Sequence, residues 1–172
     1  ILDKIRSLAM KGFTEMTGIL LRQYADGKDP IDEMNQFTRM HNVNVDTVKI
    51  VLDRVGKEIE EPYKQKILNL ISSGEIKEYK YLYLRNLINK LIDNYDIQKS
   101  YDDRIKKFAS TCNKYLNDKH FDYNQSTLNL KIYLDNEYES ERKTIQLTQL
   151  SSGEKQIVSL FSKLYLESDE SS

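Results

Sequence analysis

The chain has 172 residues, with 26 Lys and Arg against 27 Asp and Glu and a formal net charge of -1. That balance gives no support for a strongly basic nucleic-acid binder and restricts any such role to a local patch. With 31% charged and 39% hydrophobic residues and two prolines, the composition fits a helix-rich soluble globular protein rather than a disordered one.

The length suits one compact domain with a real core, or one and a half units with a small appendage. No apolar run approaches the roughly 18 residues that a membrane-spanning helix needs, and no secretory signal is visible, so no membrane partner is expected. A single cysteine, Cys112, cannot form an internal disulfide, which points to a reducing cytoplasm. Its place between Phe108 and Leu116 at helical spacing predicts a buried thiol. The sequence opens at Ile1, already inside an amphipathic pattern, and is expected to be a piece of something longer.

Ile5, Ala9, Phe13, Met16, Leu20 and Tyr24 recur at steps of three or four, which predicts one helix with an apolar face. Gly27 ends it. Asp29 and Pro30 offer an N-cap and a first-turn proline for a short helix through Met40. Val45, Val48, Leu52, Val55 and Ile59 then form a two-heptad seam, and Pro62 marks the next break. Ile67, Leu70 and Ile71 close a short helix. Tyr81, Leu84, Ile88, Leu91 and Tyr95 continue the helical spacing, and Ser100 with Asp103 reads as a cap opening a helix that carries Ile105, Phe108, Cys112 and Leu116 inward. Residues 1 to 118 thus read as antiparallel helices joined by short turns.

The period changes after that. Leu128, Leu130, Ile132 and Leu134 alternate with polar or amphipathic residues, as in a half-buried strand. DNEYESE reads as a polar turn, Lys143 to Leu147 as a second strand, and HFDY at 120–123 as a third. Ile157, Val158, Leu160, Phe161, Leu164 and Leu166 then predict an apolar helix that needs burial on much of its surface. The expected class is α+β, mostly α: a helical part over 1–118, then a small antiparallel sheet and a final helix over 119–172.

Ser-Ser-Gly-Glu occurs twice, at 72–75 and 151–154. Both copies have the Ser-x-x-Glu form of a capping box, in which Ser caps a first-turn N–H and Glu reaches back to the cap. The first copy, Ser72 with Glu75, lies between two helices, where a capped turn accounts for it. The second, Ser151 with Glu154, falls where a strand ends and an apolar helix begins. A helix start there directs unpaired N–H groups and a favourable dipole outward, Gly153 leaves room for close approach, and Ser151 adds a hydroxyl donor; together these would accept an anion.

Leu150-Ser151-Ser152-Gly153-Glu154-Lys155-Gln156 resembles the signature motif of ABC-type ATPases, whose common forms are L-S-G-G-Q and L-S-G-G-E, with Ser152 in place of the first glycine. The stretch from Phe108 to Leu166, including ASTCNKYL and TIQLTQLSSGEKQIVSLFSKL, resembles more narrowly the stand-alone bacterial ATPases found with effector proteins in anti-phage systems. These are relatives of the SMC, recombination-repair and overcoming-lysogenization ATPases. The helical stretch before it matches only in position, as the insert such ATPases carry between their nucleotide-binding halves.

The resemblance implies a homodimer held together by ATP, in which the signature loop of one subunit touches the γ-phosphate held by the other. Ser151 would give its hydroxyl and Gly153 its N–H, the helix from Ser152 would add its positive end, Glu154 would cap, and Lys155 would reach phosphate or solvent. The phosphate-cradling G-x-x-x-x-G-K-S/T is absent: the two Gly-Lys pairs, Gly27-Lys28 and Gly56-Lys57, lack its first glycine. The acidic magnesium-holding strand, which in the family follows the signature helix, is absent too. LKIYLD at 130–135 imitates it only faintly, and the sequence stops at SDESS, about where that strand would be expected. ATP and Mg²⁺ would be held by a missing ATPase half in cis, and this segment alone should hydrolyse nothing.

Two other sets of residues carry readings of their own. Tyr79, Tyr81 and Tyr83, interleaved with Lys77, Lys80 and Arg85, could pack inward, meet a protein or stack on a nucleic acid. The seams could also form a nucleotide-independent helical scaffold for an effector protein or a nucleic acid. His41 and His120 lack the spaced partners of a metal site and are expected at the surface or in caps.

Overall fold

The computed structural model describes residues 1–25, 44–135 and 143–167. Gly27, the Asp29–Pro30 helix start, His41, most of the DNEYESE turn and the final SDESS lie outside the described residues. The described chain is mostly helical with one three-stranded sheet: α1 (Leu2–Ala25), α2 (Val45–Val55), α3 (Glu61–Ser73), α4 (Leu82–Cys112), β1 (Lys119–Asn124), β2 (Asn129–Leu134), β3 (Lys143–Ile145) and α5 (Ser152–Leu166), with short 3-10 turns between some of them. No helix among the described residues is long and apolar enough to cross a membrane. The chain forms two compact units, Arg6–Gln98 and Ile1–Ile5 with Lys99–Ser172.

In the unit Arg6–Gln98, α2 opens on Asn44, whose side chain accepts the Asp46 N–H at 2.9 Å. It ends at Val55, where Gly56 takes a φ of 92°. The expected seam therefore stops one turn early, although Ile59 still packs on the core of Val48, Leu52, Leu68, Leu70, Ile76 and Ile88. Pro62 sits in the first turn of α3, where its missing N–H costs nothing. Along α1, Met16 is buried, but Phe13 is 46% exposed. The inward face includes Gly12 instead: a Cβ built there would overlap the Asn94 carboxamide, which also donates to Ala9 O at 3.3 Å. The buried Gln98 accepts from Arg54 at 2.6 Å, and Arg54 lies over the Tyr95 ring.

No helix starts at Ser100. α4 is one 31-residue helix, because the inward positions Ile88, Tyr95, Ile105, Phe108 and Cys112 continue in phase without a breaker. Its residues from Lys99 onward belong to the compact unit that contains the sheet.

In that second unit, the sheet order is β1-β2-β3, antiparallel throughout. Phe121, Ile132 and Ile145 stand in register across it and form a core with Phe108, Ala109, Cys112, Leu116 and Leu150. HFDY lies in a strand, the third one expected, within Lys119–Asn124. The final strand is shorter than expected: Leu147 lies in a 3-10 turn, Leu147–Gln149, and is 54% exposed. The edge strand β1 is held by Asn113, whose side chain accepts the Phe121 N–H at 2.7 Å and donates to its carbonyl at 2.9 Å. That bidentate contact occupies backbone groups an edge would otherwise leave open. Cys112 is fully buried, and burial pushes its thiol up to about 11.

Candidate functional site: the start of the last helix

The second tetrad is placed by three successive local structures. β3 ends at Ile145, and the 3-10 turn Leu147–Gln149 follows, with Gln146 N–H donating to Gln149 Oε1 at 2.8 Å. Leu150, only 3% exposed, lies in the core and fixes where the next residue emerges. Ser151 follows as the N-cap of α5 in extended conformation. The capping box is complete: Ser151 Oγ accepts the Glu154 N–H at 3.3 Å, and the Glu154 carboxylate accepts the Ser151 N–H at 2.7 Å.

The sequence gives no signal for a third participant. Lys119, at the start of β1, sets its ammonium 2.9 and 3.2 Å from the two Glu154 oxygens. The side chains are only 20% and 12% exposed. The pair spans 35 positions, so neither spacing nor a motif announces it. The Lys119 ammonium first, and then the Ser151 N–H, hold the Glu154 carboxyl below its ordinary value. Lys119 thereby pairs with the acidic residue of the first turn of α5.

What remains open at this corner is a set of donors. The N–H groups of Ser152 and Gly153 have no hydrogen-bond partner among the described residues, and Ser151 Oγ, accepting one bond, keeps its own proton to donate. A Cβ on Gly153 would meet nothing within 4 Å. Ser151, Ser152, Gly153 and Lys155 are exposed and Glu154 is half-buried. The predicted residues thus share the first turn of α5, with two backbone donors unpartnered among the described residues and the adjacent Glu154 carboxylate paired.

The first tetrad ends a helix, contrary to the capping box expected of it. Ser72 donates back to Leu68 O at 2.9 Å, Gly74 is the left-handed C-cap of α3 with a φ of 81°, and the following turn has no side-chain cap. Burial of Ile76 draws the chain away at this point, and only a glycine takes that φ cheaply.

The other predicted groups lie elsewhere. Tyr81 packs on the core of the Arg6–Gln98 unit, while Tyr79 and Tyr83 are 71% and 46% exposed. Lys80 is bound to Glu78 at 2.8 Å and lies over the Tyr81 ring. Arg85 donates to Lys77 O. His120 stacks on Tyr133 and pairs with Asp135. Among the described residues no group of His, Cys, Asp or Glu could hold a metal ion. No protein-family model, curated protein or solved structure matches the chain.

Proposed function

We propose that the turn Ser151–Lys155 is the signature loop of an ABC-type ATPase and binds the γ-phosphate of ATP held by a partner subunit. The observation that carries this reading is the start of α5, where the Ser152 and Gly153 N–H groups have no partner among the described residues and a Cβ on Gly153 would meet nothing within 4 Å. In this role Ser151 Oγ–H and the Gly153 N–H donate to phosphate oxygens, and the α5 dipole adds to the attraction. Glu154 holds the cap in shape, and Lys119 keeps its charge from repelling the anion. ATP would supply the reactive phosphoryl group, and both ATP and its magnesium would be held by the missing ATPase half rather than by these residues. Dimerisation through the nucleotide, coupling to an anti-phage effector and a cytoplasmic setting belong to the same proposal and rest on the motif.

The test is ATP turnover against protein concentration for a protein carrying this segment together with its phosphate-cradling half. Ser151→Arg blocks the corner and is expected to abolish turnover while each subunit still binds nucleotide. Gly153→Ala is the control for folding: its Cβ meets nothing within 4 Å, so Tm should hold while turnover falls. Unchanged turnover in both variants reduces the tetrad to a helix cap.

The exposed Tyr79 and Tyr83 favour a second reading for the helical part, a scaffold that binds a protein without nucleotide. Equal binding of that partner with and without ATP supports the scaffold; binding that switches with ATP joins the helices to the site.

A further inference from the structure

We draw no further inference here: the strongest candidate, the apolar stripe that Ile157, Leu160 and Leu164 present along the final helix, is an unpartnered face, and nothing in the structure shows what covers it.

Discussion

Two identical tetrads with different hydrogen bonds make a controlled comparison at the scale of the residue. Ser151→Ala removes an N-cap and is expected to destabilise by about 1 kcal/mol, a fall in Tm of about 2–4 °C for a chain of this size. Ser72→Ala removes only a bond back to the preceding turn and should stay within about 0.5 kcal/mol. Thermal melts of the two variants check this, and equal losses would contradict the capping assignments. Lys119→Met leaves Glu154 without its cation and is expected to cost about 1–3 kcal/mol at neutral pH, with Glu154→Gln in the same chain restoring part of it. The pH dependence has a definite sign. Glu154 is held below its ordinary 4.5 in the folded chain, so its contribution is full above the unfolded value and is lost as pH falls through the folded one. Wild type should therefore lose Tm more steeply than Lys119→Met on acidification, and the gap between them should narrow below pH 4.5; a constant gap would remove the ion pair as its cause.

At the scale of the element, periodicity located helices and strands, while their ends were set by local caps whose pattern does not say whether a helix starts or ends there. The phase from Tyr81 to Leu116 was legible, yet Ser100 with Asp103 looked like a start because a capping pattern carries no information about whether the helix already runs through it. The Ser72 tetrad misled for the same reason: Ser-Ser-Gly-Glu fits a helix start or a helix end, and the burial of Ile76 decides between them. The last helix was expected to be covered on much of its surface. Val158, Phe161, Tyr165 and Leu166 do meet the core, but Leu160 and Leu164 are 63% and 56% exposed. Hydrophobicity alone had not told which side of α5 faced that core. Gly12 shows a contact that periodicity hides, since its use is the absence of a side chain against Asn94. Gly12→Ala sets a gain of about 1 kcal/mol in helix propensity against displacement of Asn94, whereas Gly12→Leu adds bulk that Asn94 must yield to. The leucine variant is expected to lose about 1–3 kcal/mol, and Asn94→Ala in the same chain should recover part of it. Additive losses in the double variant, read from denaturant midpoints, would show that the two residues do not meet.

At the scale of the whole molecule, length allowed either one domain or more than one unit, and composition could not choose between them. The choice depends on which apolar residues share a core. Val48, Leu52, Leu68 and Ile88 make one; Phe108, Phe121, Ile132 and Ile145 make another. The candidate site was legible as far as Ser151, Gly153 and Glu154, because a local motif encodes a local cap; Lys119 was not, because only strand β1 brings it there. Separate cores have a consequence for stability: each can open at its own free energy, which native-state hydrogen exchange resolves. Leu52 is 2% exposed and Ile132 is 5% exposed, so truncating either to alanine should cost about 2–5 kcal/mol in its own core. Leu52→Ala is expected to speed exchange across α2 and α3 and leave the β1 and β2 amides protected, and Ile132→Ala to do the reverse. If either substitution instead raised exchange equally in both sets of amides, the two cores would be one cooperative unit. The start of α5 would then be sensitive to changes anywhere in the chain. If the cores respond separately, the corner at Ser151 answers only to the core of Phe121, Ile132 and Leu150, and substitutions in the Arg6–Gln98 unit test partner binding without disturbing it.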